Sequence, residues 1–541
     1  MKKLSARKKR WIERTVANDR SYKAFLYNRF FIFLVMVLLQ LVSFGVLFYL
    51  LVYHSQAALA LQIVIFALEL VFVLSILNGH DRPSSKLNWI IVILIAPVFG
   101  VPMYMMNGRG RPTRRMNKKI QASKTANGAA LARRYGNTEK TDETAKAEHQ
   151  PQTGTRSDAI SKYLTTYGGY PAFDDGTVTY YKSGEEMFPV MLEEIAKAEK
   201  FILLEYFIIA HGLMWSTVSK MLLEKAMQGV QVRIIYDDFG CMMTLPPHYE
   251  KYLEGLHENI KCLNFNPVVP LFAVRMNNRD HRKILVIDGK VAFTGGINLA
   301  DEYIAQKQRF GYWKDSGLRI TGSAVRSFTQ MFFYLWNAFR KDKENIEEYL
   351  PQAGGGAAQK GLRIQPYDDS PLDRLSTGEA VYIDLINRAS KSVWIFTPYL
   401  ILDDLLRASL CHAAMRGVDV RIVTPGIPDK KMVYRLTRAN YALLIKAGVR
   451  IYEYTPGFIH AKSMLCDGES AVVGTINLDY RSLYHHFENA VYFSGCEAID
   501  ALRRDCEETF ALSRERTSED VRRSVVGRLI DSVLRVFETL V

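Results

Sequence analysis

Three apolar stretches crowd the start of the chain, and helix-like and strand-like patterns alternate through the rest. Residues 31–53 (FIFLVMVLLQLVSFGVLFYLLVY) carry no charge. A bilayer core needs about 20 apolar residues of helix, so this run predicts a span. A second run, 58–77, is interrupted by Gln62 and Glu69. A third, 88–106, contains Pro97, Gly100 and Pro102, which break a helix. One apolar run follows another without a small-residue cleavage site, so a removed leader is not expected.

Beyond residue 155 the pattern repeats. The first copy runs EEMFPVMLEEIAKAEKFILLEYFII, AMQGVQVRIIYDD and DHRKILVIDGKVAFTGGINLADEYI. The second runs AVYIDLINRASKSVWIFTPYLI, AAMRGVDVRIVTP and IHAKSMLCDGESAVVGTINLDYRSL. In each, a helix leads into a β-branched, aromatic strand (202–208; 393–397). A second helix stops at Gly229 or Gly417, and another strand follows (230–236; 418–424). Strands alternating with helices predict an α/β sheet in each copy. Two copies predict a pseudo-two-fold pair of domains with a site between them.

Charge sharpens the division. The chain carries a formal +14 over 541 residues, but residues 1–30 hold +8 and residues 107–150 hold +7, while 151–541 sum to −1. The positive charge therefore flanks the apolar region, as expected beside an anionic leaflet on the cytoplasmic face. A nucleic-acid enzyme is expected to carry a basic footprint on its catalytic part; no nucleic-acid partner is expected here. Two basic flanks on one side are incompatible with three full spans, so the third run is read as re-entrant or interfacial. Residues 107–155, polar with few large apolar residues, read as a linker, partly disordered. The six cysteines form no CxxC pair and read as free thiols.

The chemistry lies in a doubled motif. His281, Lys283 and Asp288 are followed by Gly295, Gly296 and Asn298; His460, Lys462 and Asp467 are followed by Gly474 and Asn477. His to Asn is 17 residues in both copies. On a strand, residues i and i+2 face one way, so each His and Lys point together. Asp288 and Asp467 fall at the next turn, where pinning that turn is favoured over direct chemistry, although they complete the motif. No cluster has metal-ligand spacing, so neither a metal nor a cofactor is expected.

These motifs resemble the HKD motifs of the phospholipase D superfamily. The runs HRKILVIDGKVAFTGGINLADEY, YWKDSGLRITG and GFIHAKSMLCDGESAVVGTINLDYRSLYHHFE, with the apolar N-terminus, resemble bacterial cardiolipin synthases specifically. A departure is Gly317, where many relatives carry a histidine. The resemblance implies phosphatidyl transfer between two phosphatidylglycerols through a phospho-histidine, without metal. One His attacks phosphorus, with His281 taken as the nucleophile, and the other acts as acid and base. Lys283, Lys462, Asn298 and Asn477 would neutralise the phosphoryl oxygens. Carboxylates hold the imidazoles: Glu488, 11 residues after Asn477, fits this role, while the first copy has Arg309 at that offset and Asp315 is its candidate. The alternatives are another phosphatidyltransferase or lipid hydrolase, an HKD nuclease and a non-catalytic membrane scaffold.

The resemblance implies an α/β fold class: two pseudo-two-fold-related phospholipase D-like domains, each a mixed β-sheet flanked by helices, preceded by a transmembrane helical region. The expected parts are a basic N-terminus (1–30), a membrane region (31–106), a linker (107–155), catalytic domains at 156–350 and 351–515, and a C-terminal amphipathic helix (516–541). In that helix Val526, Ile530, Val533, Phe537 and Leu540 recur at helical spacing. Its apolar stripe either lies on an anionic membrane or packs on the second domain. The expected setting is the cell membrane, multi-pass, with the catalytic domains on the cytoplasmic side.

Overall fold

The computed structural model describes residues 20–53, 55–79, 82–108, 113–135, 157–267, 277–350, 356–373, 376–536 and 538. Phe537 and Leu540 of the C-terminal stripe, and residues 1–19, 109–112 and 136–150 of the basic segments, lie outside these.

Each repeat builds one mixed sheet. The first is seven-stranded, in the order Val178–Tyr181, Gly317–Thr321, Val291–Gly295, Lys283–Ile287, Phe201–Tyr206, Gln231–Asp237, Ile260–Phe265. The second is eight-stranded, in the order Ser513–Arg516, Arg450–Tyr454, Asp419–Pro425, Ser392–Phe396, Ser463–Cys466, Ser470–Gly474, Glu488–Ser494, Arg363–Asp369. In both, three parallel strands meet the strand carrying the His-x-Lys lysine or its successor antiparallel. Phe201–Tyr206 is buried throughout, as a strand covered on both sheet faces must be. The helices before the second parallel strand end where the sequence places their stops, with Gly229 and Gly417 at φ 99° and 90°, a conformation that costs glycine little.

The halves share a core, and the first half has a second one of its own. Helix Val325–Phe339 is buried over most of its length, and its Phe328, Phe332 and Trp336 join Leu203 and Ile284 of the first sheet and Ile364 and Tyr367 of the second. The segment expected as a linker differs from expectation: it contains a 22-residue helix, Arg114–Tyr135. Met116, Ile120 and Ala130 are buried on one face, and Lys124 pairs with Asp368 at 3.5 Å. Mean composition hid this spaced apolar stripe among basic residues.

The N-terminal helices Arg20–Tyr53 and Ser55–Leu77 pack together. Within the second, Gln56–Leu77 is long and apolar enough to cross a membrane. The third apolar run breaks at Ala96 into Pro83–Ile95 and Pro97–Asn107. At 1.5 Å per residue these limbs are roughly 20 and 17 Å long, short of the ~30 Å core. They fold back on each other, with the Trp89 and Tyr104 rings 5.4 Å apart. Gln40 Oε1 accepts from Phe99 N at 3.0 Å, which ties the break in the hairpin to helix Arg20–Tyr53.

Candidate active site

The repeated strands bring both motifs to the junction of the two halves. His281 N donates to Phe487 O (2.8 Å), and His460 N donates to Lys314 O (2.7 Å). Strand Gly457–Ile459 pairs parallel with Tyr312–Lys314. Each motif histidine is therefore tied by its backbone to the opposite half.

The side chains repeat this crossing. His281 Nδ1 lies 2.8 Å from Glu488 Oε2, and His460 Nδ1 lies 2.6 Å from Asp315 Oδ2. The pairing within each copy that sequence offsets suggest is exchanged: the first histidine takes the second half's acid and the reverse. Strand register explains why offset misled. Gly295 pairs with Gly317, and Gly474 with Ala490. Asp315 and Glu488 each lie two residues before those partners, so they are equivalent, but the first half carries six more residues between its Asn and its acid. Arg309 falls inside this insertion and ion-pairs with Glu302 at 3.8 Å.

Both imidazoles are almost fully buried. Burial pushes His281 down to about 3, against the pull of Glu488, and His460 down to about 4, with Lys462 adding to the effect. Both are neutral at pH 7, with Nδ1–H donating to carboxylate and the Nε2 lone pair free for chemistry. For the carboxylates, burial is outweighed by their neighbours. His281 and His486 hold Glu488 well below the usual range, and His460 and Lys462 hold Asp315 below it. Glu488 also accepts from the hydroxyls of Thr475 and Ser482. Asp315 accepts from Ser316 N at 2.8 Å. A Cβ at Gly296 would lie 2.0 Å from Asp315 Oδ1, so only glycine leaves room for this acid.

The lysines lie beneath the histidines. Lys283 Nζ donates to His281 O at 2.6 Å, and Lys462 Nζ is 2.8 Å from His460 Nδ1. Burial lowers Lys283 to about 8 and Lys462 to about 7. Asn298 and Asn477 line the cavity with both histidines. Asn298 accepts from Ile208 N and donates to Tyr303 Oη, while Asn477 Oδ1 is buried without a hydrogen-bond partner among the described residues.

Asp288 and Asp467, counted with the catalytic set, lie at the far ends of their strands. Asp288 accepts from Glu199 N, Lys200 N and Phe201 N, each at 2.8 Å. Asp467 does the same for Ser390, Lys391 and Ser392. Both have positive φ, 52° and 55°. They fix the turn entering the adjacent strand and do not reach the cavity. At the departing position, a Cβ on Gly317 would meet Met187 Sδ at 2.3 Å, so a side chain there requires Met187 to move.

The cavity, roughly 580 Å³, is walled by aromatic Phe207, Trp313, Tyr399 and Phe458 and carries Arg279, Arg309, Lys430 and Arg481 beside the acids Glu302, Asp429 and Asp479. Sequence reasoning missed these cations, Tyr303, and the Glu488 donors Thr475 and Ser482. Thr475 was within reach, because it stands where the first copy has Gly296. Among the described residues, His281, His486 and Glu488 bring three possible metal-ligand atoms within 4.8 Å of one another. A cation there would compete with the bond that orients His281.

Two such halves, each with an HKD motif and joined around one paired-histidine cavity, define a phospholipase D-type phosphatidyltransferase. The model of the cardiolipin synthase PLD-like domain matches residues 191–336 and 382–509, and the phospholipase D-nuclease N-terminal model matches 67–109. The chain is 42% identical over 469 residues to an uncharacterized protein of Streptococcus mutans, covering 86% of this chain and 99% of that one. It is 32% identical over 446 residues to a cardiolipin synthase of Alkalihalophilus pseudofirmus, covering 82% and 86%. A phosphatidylserine synthase from Haemophilus influenzae superposes with a TM-score of 0.56 at 13% identity, over 72% of this chain and 100% of that one, which shows the shared fold. The chain belongs to the bacterial cardiolipin synthase family and is associated with the membrane.

Proposed function

We propose that the enzyme joins two phosphatidylglycerols into cardiolipin, releasing glycerol. The observation that carries this reading is the crossed pair, His281 with Glu488 and His460 with Asp315, facing one cavity that holds four cations. Its cations suit two anionic headgroups, and its aromatic walls suit glycerol backbones and acyl stems.

In the first step His281 Nε2 attacks phosphorus, and the bond to the headgroup glycerol breaks. An incoming phosphate diester adds negative charge beside His460 and raises its proton affinity, so the protonated imidazole delivers its proton to the leaving oxygen. The resulting phosphatidyl-histidine waits while glycerol departs. His460 then takes the proton from the terminal hydroxyl of the second phosphatidylglycerol, whose oxygen attacks phosphorus and frees His281. Lys283, Lys462, Asn298 and Asn477 stabilise the charge on the phosphoryl oxygens. His281 is assigned the nucleophilic role because its acid is held by two hydroxyls, which fixes the ring most tightly.

Helices Arg20–Tyr53 and Ser55–Leu77 cross the cell membrane, and the Pro83–Asn107 hairpin enters and leaves on one side. That topology puts both basic flanks and the catalytic halves in the cytoplasm. The test is incubation of detergent-solubilised protein with phosphatidylglycerol alone. Cardiolipin and glycerol in equal amounts are expected; phosphatidic acid without cardiolipin would make the enzyme a hydrolase.

A further inference from the structure

The C-terminal helix Val525–Arg535 is mounted with its polar side inward. Asp531, buried, receives Arg435 Nε at 2.6 Å and lies 3.7 Å from Arg523 Nε. Arg435 also donates to Gly527 O (3.2 Å), and Arg535 donates to Ala439 O (2.9 Å). The apolar residues point outward instead. Val525, Val526, Leu529, Ile530 and Val533 are exposed by 73, 66, 66, 42 and 54%. At about 100° per residue they occupy one arc of about 140°. A helix on the surface of a water-soluble domain has the opposite arrangement, so packing of the stripe on the second domain is excluded for these residues.

What covers this face follows from its neighbours. Asn88, on the first limb of the apolar hairpin, donates to Arg535 O at 3.3 Å, and Ser84 shares a 2.8 Å hydrogen bond with Tyr480. Leu534 packs on a cluster of Ile401, Val433, Leu436 and Tyr480, of which Ile401 and Val433 also line the active-site cavity. Hairpin, C-terminal helix and cavity wall are thus contiguous. Arg522 and Arg528 are exposed near the apolar arc, the arrangement in which guanidinium groups meet lipid phosphates while apolar neighbours enter the acyl boundary.

We propose that the exposed face of helix Val525–Arg535 is seated in the interface of an anionic bilayer, a second membrane contact that holds the cavity mouth at headgroup level. A two-tailed substrate then presents its phosphate without leaving the bilayer, and the orientation is set before binding. The proposal rests on the reading that the hairpin lies in the same membrane.

Two measurements on the full-length protein test it. In the first, Leu529→Cys carries bimane in proteoliposomes containing brominated phosphatidylglycerol, with unsubstituted protein as the background for native thiols. Strong quenching is expected whether or not the enzyme turns over. No quenching would overturn the proposal, as would a shielded but unquenched probe with cross-linked dimers, which would assign the face to a second copy. In the second, Val526→Ser/Leu529→Gln/Val533→Ser should lose about tenfold in activity on vesicles and keep its activity on monomeric short-chain phosphatidylglycerol. Equal loss on both substrates with a lower Tm, or no loss on either, would overturn it. Failure of the unsubstituted enzyme to make cardiolipin would instead count against the proposed reaction and leave the quenching result standing.

Discussion

The two halves place a histidine, a lysine, an asparagine and an acid at equivalent points, yet they secure the acids differently. Glu488 reaches His281 from the start of a strand and is braced by Thr475 and Ser482. Asp315, one methylene shorter, reaches His460 only because Gly296 clears the space that Thr475 fills in the other half. In both halves the residue just before the acid pairs with the opposite half, Lys314 through strand Tyr312–Lys314 and Phe487 through a single parallel bridge to Asp280. Duplication therefore kept the geometry at the reacting atoms and let the supports diverge. Glu488 is braced by two hydroxyls, Asp315 by one backbone amide and close packing against Gly296.

The largest effect comes from removing either histidine. His281→Ala and His460→Ala should each lower turnover by a factor on the order of 10⁴ or more, because one transition state needs both. Denaturant quenching of the His460→Ala enzyme with labelled lipid should map the phosphatidyl group to His281; label on His460 in the reciprocal variant would reverse the roles. Appreciable turnover in either variant would end the shared-site mechanism.

Breaking the crossing itself costs less. Glu488→Gln and Asp315→Asn should each reduce kcat by about 10²–10⁴, as when the acid behind a catalytic imidazole is neutralised. The crossed arrangement predicts which ring responds. In ¹⁵N spectra, Glu488→Gln should shift the His281 imidazole and leave His460 nearly unchanged, with Asp315→Asn doing the reverse. Perturbation of the histidine in the same half would contradict the pairing.

A smaller effect separates the lysines. Each cation is present below its own value and lost above it, so deprotonation of Lys462 near about 7 and Lys283 near about 8 should lower kcat/KM as pH rises. Lys462→Arg, which stays charged, should move the alkaline limb upward by about a unit even if its maximum falls. An unmoved limb would mean that another group sets it.

The smallest catalytic effect belongs to the motif aspartates. Asp288→Ala removes one acceptor from three backbone donors, and should cost about 1–3 kcal/mol of stability. At low temperature the folded variant should retain activity within about threefold. A loss comparable to that of a histidine variant, with Tm unchanged, would return Asp288 to the chemistry.

Much of this architecture is legible in the sequence because repetition exposes it. The same strand, helix and Gly-x-Ile-Asn order occurs twice, and the i, i+2 rule puts each His beside its Lys. The role of the aspartates follows from their place at a turn. What repetition could not give is contact between copies. Counting residues from Asn477 finds Glu488, but the same count from Asn298 lands on Arg309, because an insertion shifts sequence and not strand register. The helix Arg114–Tyr135 was hidden for a related reason: its buried face includes Ser123 and Asn127, so composition alone does not separate it from a solvated linker. The cavity cations come from four separate segments, and no local pattern joins them.

The crossed pairing also bears on how the chain is made. Synthesis runs from residue 1 upward, so His281, Lys283 and Asn298 leave the ribosome long before Glu488. Until that late strand is translated and docked, the first imidazole has no carboxylate to fix its tautomer, and His460 does not yet exist. A newborn chain at the membrane thus meets phosphodiesters with only half of its site in place. The site is complete only when the second half has docked on the first.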